Sequence, residues 1–281
     1  MTKNLLTQSW EDISKINADK FTVFLGIAPI EEHGKHLPIG VDFFETEYWI
    51  KGAIAQLERE HPQHTWGTLP TIPLGFANMG NFPGNIHVSR ELIFNVVYET
   101  VSAIAKWGVK NIIIISGHAD PLHTMAIEQA VEKINDENGV IALAPMGSIF
   151  HAAEKGIEVP HSVELSRKLE EFPNDFHAGW IETSCMLSIL PDCVKSNYLE
   201  RPNISLWDRD MMDDKKLAQV ITGEGHIGFP KEATAQLGTE LNADNAQIIK
   251  DATEKFIIRK GYECYVSHPL SDKPWMKLHQ I

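Results

Sequence analysis

Cysteine is scarce in this sequence: Cys185, Cys193 and Cys264 are the only three, and no two of them stand at CxxC spacing. So few, and odd in number, they neither staple a chain of 281 residues nor build a thiolate zinc site, and they are read as buried thiols. Long apolar runs are also missing. Nothing approaches the roughly 18 consecutive apolar residues of a membrane span, and the opening MTKNLLTQSWEDISK has a lysine but no apolar leader segment. Positive charge is in deficit: 25 Lys and Arg stand against 38 Asp and Glu, a net charge of -13. A polyanion partner needs a basic face that displaces counterions, so nucleic-acid binding is excluded as the main role. These absences lead us to expect a soluble, cytoplasmic protein with no nucleic-acid or membrane partner. No internal repeat or low-complexity linker marks a boundary, so residues 1–281 are expected to form one domain.

What the chain does have is enough apolar content for a full core, 43% hydrophobic against 22% charged residues, in alternating patterns of two kinds. Phe21–Ile30 and Asn111–Ser116 are short apolar runs rich in β-branched residues, the pattern of strands covered on both faces, and Val140–Pro145 repeats it. Between them, Phe44–Glu60, Arg90–Trp107 and Met125–Asn138 carry apolar residues at helical spacing. Strand, helix and strand in succession predict an α/β fold, a mostly parallel sheet flanked by helices in three layers. Beyond Met146 the pattern is less regular. Helices are expected near Val163–Glu171, Ile181–Leu190 and Ala243–Gly261, while Lys195–Lys231 carries no clear pattern.

Polar residues collect just past the strands, where α/β sheets bind ligands. The run EEHGKHLPIGVD, Glu31–Asp42, places Glu31 and His33 two apart, on one side of an extended backbone, and Gly34 and Gly40 let the chain turn Asp42 back toward them. Such a loop is often no more than solvated surface. A second segment argues otherwise: in SGHADPLH, Ser116–His123, His118 and Asp120 repeat the same spacing at another strand end. Carboxylates with imidazoles suit zinc, manganese or iron, and the lack of thiolate favours catalysis over a structural site. A third segment, HAGWIETS, His177–Ser184, adds His177 and Glu182 at the mouth of a helix.

Together these segments resemble the creatininase (creatinine amidohydrolase) family. EEHGKHLPIGVD is similar to a family pattern of the E-Q-H-G-x-H-L-P-L-G-T-D kind, FPGN at Phe82–Asn85 to F-P-G-T, SGHAD to N-G-H, and HAGWIETS to H-x-G-x-x-E-T-S, all in order. GHIGFPKEATAQLG, Gly225–Gly238, resembles the segment before the family's last helix.

The resemblance implies two divalent cations, zinc or manganese. Glu31, Asp42 and His118 would hold one, and His33, Asp42 and Asp120 the other, with Asp42 bridging. His177 and Glu182 would be the catalytic pair, the imidazole carrying a proton to the leaving nitrogen and the carboxylate holding its tautomer. It further implies a homo-oligomer, of hexameric type, acting on a small molecule. Three carboxylates, two dications and one shared hydroxide sum to zero charge, as a buried site requires. Two departures bear on the substrate. Pro121 stands where members commonly carry Asn, and Pro173 where creatininase carries Trp, so the aromatic cover for a flat ring, worth roughly 1 kcal/mol, is lost. The expected reaction is therefore opening of another cyclic amide or a similar small C–N bond. A formamide or an inosose-type cyclic ketone is the alternative substrate, and a non-catalytic metal-binding member the alternative from another class. His36 and His123 are expected to support the ligands from behind. His87 lies near the site, and His61, His64, His151, His161, His226, His268 and His279 receive no role. Trp180 is weighed as pocket lining against core or subunit contact.

Overall fold

The computed structural model describes residues 1–159, 161–207, 210, 213–221 and 223–277; His279 lies outside them. Five strands, β1 (Thr2–Asn4), β2 (Phe21–Gly26), β3 (Thr65–Thr68), β4 (Asn111–Ile115) and β5 (Ala142–Leu143), form one sheet in the order β1-β3-β2-β4-β5, every pair parallel. The β2–β4 pair at its centre runs in register from Thr22 with Asn111 to Gly26 with Ile115. Alternate side chains of these strands leave on opposite faces, which is why apolar residues run without a break through Val23–Leu25 and Ile112–Ile115.

On one face Val23, Leu25, Ile112 and Ile114 pack against α3 (Arg90–Ala105) and α4 (Pro121–Asn138). On the other, Phe24, Ile113 and Ile115 meet α2 (Val41–Glu60) and the long α9 (Ala235–Ile257). The short α1 (Trp10–Ser14) and α5 (Met146–Ile149), then α6 (Val163–Glu171), α7 (Trp180–Ile189), α8 (Asp214–Ile221) and α10 (Pro274–Lys277), complete the helices named here. The result is the three-layer α/β arrangement the alternation predicts. A buried bridge ties the second helical layer together: Trp49 Nε1 donates to Asn242 Oδ1 at 2.7 Å, and Asn242 Nδ2 donates to the Cys185 carbonyl at 3.2 Å.

Several boundaries differ from the expected ones. α2 begins three residues early, at Val41, so Asp42 sits in a helix's first turn rather than on the returning loop. α4 begins at Pro121 because the Asp120 side chain accepts the N–H groups of Leu122 and His123 and Pro121 opens the helix. α9 begins at Ala235, capped by Thr234, eight residues before the expected start. The strands β1 and β3 are too short to show a period. Of the cysteines, Cys185 is buried, but Cys193 is exposed in a surface turn after Pro191 and Cys264 is half-buried, which corrects the reading of all three as buried thiols. Trp180 is fully buried with Leu165 and Leu237 between α6, α7 and α9, donating Nε1 to the Phe172 carbonyl; it is core rather than pocket lining. Among the described residues no helix is long and apolar enough to cross a membrane.

Candidate metal centre

The polar segments converge at the carboxyl ends of β2 and β4. Glu31 and His33 follow the irregular continuation of β2, and Gly34, at φ 66°, turns the chain away. His118 follows β4. The first turn of α2 is drawn against it: Gly117 N–H donates to Thr46 Oγ1 at 2.7 Å, Thr46 Oγ1 donates to the Asp42 carbonyl at 2.6 Å, and a Cβ on Gly117 would stand 2.6 Å from that carbonyl. Only glycine admits this approach, and it sets Asp42 between the two strand ends.

His177 and Glu182 arrive on a distant part of the chain. The Asp175 carboxylate accepts N–H bonds from Trp180 at 2.9 Å, Ile181 at 2.9 Å and Phe229 at 2.8 Å, which caps α7 and ties it to the segment before α9. His177 then pairs with Ile227 through both backbone groups, at 2.9 and 2.8 Å. The segment Lys195–Lys231 thus reaches the centre as a clasp, though residues 208, 209, 211, 212 and 222 within it lie outside the described ones.

Two groups of potential ligand atoms result. In the first, His118 Nδ1 lies 3.2 Å from Glu31 Oε2 and 3.7 Å from Asp42 Oδ2. In the second, His33 Nε2 lies 3.5 Å from Asp42 Oδ1 and 3.6 Å from Glu182 Oε2. Asp42 offers one oxygen to each, as the expected bridge requires. The third place in the second group goes to Glu182, where Asp120 was expected. Asp120 Oδ1 is engaged by Leu122 N–H at 2.7 Å and His123 N–H at 3.1 Å, and among the described residues no converging group includes it. A further overlap joins Glu31, His33 and His177.

The imidazoles are oriented for ligation. His33 Nδ1–H donates to the Glu31 carbonyl at 3.0 Å, and His118 Nε2–H donates to the Phe76 carbonyl at 3.0 Å, so in each ring the other nitrogen, facing the carboxylates, is the one a cation could take. His123 supports from behind, accepting Phe76 N–H at 3.2 Å and bonding Ser116 Oγ at 3.2 Å; His36 Nε2 bonds Thr183 Oγ1 at 3.0 Å. His87 receives the Ala77 N–H at 3.4 Å and stays outside both groups.

Glu31 Oε2, His33 Nε2 and both Asp42 oxygens are buried without a hydrogen-bond partner. Orphaned acceptors packed face to face are costly unless a cation lies among them, so this donor set fits divalent metal. The charges say the same. Burial pushes the Glu31 carboxyl up to about 7 against the pull of His118. Burial also opposes ionisation of Asp42, yet His33 and His118 hold its carboxyl well below the usual range. Burial lowers the basicity of His118, and Glu31 and Asp42 outweigh it, raising the ring to about 10. The carboxylates thus attract positive charge, and a bound cation would displace the protons they otherwise hold on the rings.

Two carboxyls at the centre were not singled out from the sequence. Glu45, one turn along α2 from Asp42, is buried beside Cys185 and Glu182, and burial, then Glu182 and Asp42, push its carboxyl well up. The i, i+3 spacing from Asp42 was the available signal. Glu32 lies against His177, its Oε1 at 3.6 Å from the ring Nε2.

A sequence model described as creatininase, creatinine amidohydrolase, matches residues 7–253. Mycofactocin precursor peptide peptidases from Mycobacterium ulcerans and Mycolicibacterium smegmatis are 22% and 24% identical over 228 residues, 79% of this chain and 80% of theirs. Among solved structures, a candidate creatinine amidohydrolase from Bacteroides fragilis superposes with TM-score 0.68 at 20% identity, covering 92% of this chain and 98% of that one. A manganese form of creatininase superposes with TM-score 0.67 at 17% identity, covering 90% and 99%, and a zinc form of a creatininase variant is also similar. At these identities the superpositions speak for the fold.

Proposed function

The chain belongs to the creatininase family, and on that premise we propose that it is a metal-dependent hydrolase of a small C–N bond, holding two divalent cations through Glu31, His33, Asp42, His118 and Glu182. The observation that carries this reading is the convergence of unpartnered buried atoms, Glu31 Oε2, His33 Nε2 and both Asp42 oxygens, with both histidines oriented by carbonyls behind them. Such cations, zinc or manganese, would lower the pKa of a shared water and polarise the scissile carbonyl.

The chain's own contribution is geometry and proton handling. Asp42 ties the two groups by one oxygen each, and the carbonyls of Glu31 and Phe76 lock the rings. Glu182 moves in this reading from partner of His177 to ligand beside His33, and Asp120 from ligand to helix cap. His177, packed on the His33 ring with centroids 4.4 Å apart, is the group that moves a proton, since its ordinary pKa lies near neutrality and the leaving nitrogen must be protonated before it departs. A cyclic amide remains the first substrate class. The peptidase relatives add a peptide C–N bond to the formamides and cyclic ketones worth testing.

The test is metal content by plasma mass spectrometry on wild type and Asp42→Asn, with hydrolysis assays on hydantoins and other cyclic amides, formamides, cyclic ketones and short peptides. Near two equivalents of metal in wild type, lost with activity in the variant, is expected. A wild type that takes up metal yet hydrolyses none of these points to the binding-only alternative, and one that takes up no metal overturns the centre itself.

A further inference from the structure

Glu32 stands where the family pattern carries glutamine, and its surroundings give that difference a consequence. Its side chain is buried at 5% exposure. Oε2 accepts the Gly34 N–H at 2.9 Å, while Oε1 has no hydrogen-bond partner and faces His177 Nε2, which also has none, at 3.6 Å. Neither group is free to turn away. Gly225 lies flat on the carboxylate, where a Cβ would come within 2.3 Å of Oε2, and His177 is pinned by Ile227 on its backbone and by the His33 ring on its face.

We propose that Glu32 sets the tautomer of His177, keeping the ring proton on Nε2 and presenting a bare Nδ1 to the metal centre. A carboxylate has only lone pairs to offer, so the nitrogen facing it bears hydrogen, and a small rotation of either group closes the remaining distance to a charge-assisted bond. The other nitrogen, Nδ1, then faces Glu31 Oε2 at 4.0 Å as a second acceptor, a pairing that calls for a cation or a proton-bearing group between them. An amide at position 32 would act in the opposite sense. Its oxygen would take the Gly34 N–H, which needs an acceptor, and its NH2 would face Nε2, which would then have to be bare and leave the proton on Nδ1. In the neutral ring the carboxylate therefore makes the cleft-facing atom of His177 a proton acceptor. Glu32 is a positioning residue, and only the use of that proton in turnover rests on the hydrolase reading.

The deciding measurement is the two-bond nitrogen–proton NMR pattern of 15N-histidine-labelled, zinc-loaded protein at a pH where the ring is neutral, with His177 assigned by its disappearance in H177N. Protonated Nε2 with bare or metal-bound Nδ1 is expected in wild type, with the reverse in E32Q. A wild-type ring with its proton on Nδ1 overturns the proposal, whether or not E32Q folds, and so does a folded E32Q with the wild-type pattern. The readout needs no substrate. If the protein hydrolyses nothing while the tautomer is as stated, the hydrolase reading fails and this one stands.

Discussion

Glu182 Oε2 accepts the Ala178 N–H at 2.5 Å and stands 3.6 Å from His33 Nε2, so a carboxylate on α7 spans from its own helix entrance to a ring on the loop after β2. That contact joins segments almost 150 positions apart in the chain, and it separates two candidate ligands that sequence spacing alone does not.

Glu182→Gln should therefore lower bound metal to about one equivalent, while Asp120→Asn should keep both. Because Asp120 caps α4, its loss should appear in urea denaturation as a cost of roughly 1 kcal/mol or less, Asn being itself a good cap. Metal analysis on both variants decides it; loss of a cation from Asp120→Asn with full retention in Glu182→Gln would reverse the assignment.

Gly117→Ala should act on the centre from outside it. The added methyl meets the Asp42 carbonyl at 2.6 Å and Glu45 Cβ at 3.1 Å, so the first turn of α2 must withdraw from β4. We expect about 1–3 kcal/mol of destabilisation, typical of overpacking, together with weaker metal retention on dialysis against chelator. Wild-type stability and retention would mean that the close approach is not needed.

Glu128, on α4 beside Gly147 and His268, predicts a pH dependence. Burial pushes its carboxyl up to about 8, only partly offset by the His268 N–H that it accepts at 2.7 Å. In the unfolded chain a glutamate titrates near 4.3, so between roughly pH 4.5 and 8 the native state holds a proton that the unfolded state has released. The stability due to this group is fully present below the unfolded pKa and lost as pH rises through about 8, with a slope approaching 1.4 kcal/mol per pH unit. Denaturation across that range should show a fall in wild type that is flattened in Glu128→Gln. Parallel profiles would contradict it.

Thiol labelling should be graded. Cys193 is exposed and should react promptly in the native protein, while Cys185 is buried, with burial and then Glu45 pushing its thiol well up, and should react only on unfolding. Peptide mapping after timed alkylation gives the order; early modification of Cys185 would show that α7 opens readily.

The sheet was legible because both of its central strands are covered on both faces, which writes continuous apolar runs into the sequence at Phe21–Gly26 and Asn111–Ile115. Glu31, His33 and His118 were legible as candidates because each stands in the loop that follows such a run, and Asp42 because it closes the same motif as Glu31 and His33, although it lies in the first turn of α2. Asp120 shares the spacing of a ligand, but the pair Asp120–Pro121 is also a helix-start signal, and the amides of Leu122 and His123 engage one oxygen of its carboxylate. Glu182 could not be placed from its neighbours in sequence, since its approach to His33 depends on the docking of α7 through Asp175 and Ile227. Glu32 sat within the most specific motif; only the position of His177 in space gives it a partner.

The clasp at Asp175 has a consequence for the order in which a growing chain is completed on the ribosome. Synthesis runs from the amino end at about 5–20 residues per second, and every member of the Glu31, Asp42 and His118 group is polymerised well before the Phe229 amide on which the seating of α7 depends. A nascent chain can thus gather its first ligand set many seconds before Glu182 is brought to His33. The two candidate ligand groups thus have different birthdays, and arrested chains ending before and after Phe229 would differ in how much metal they retain.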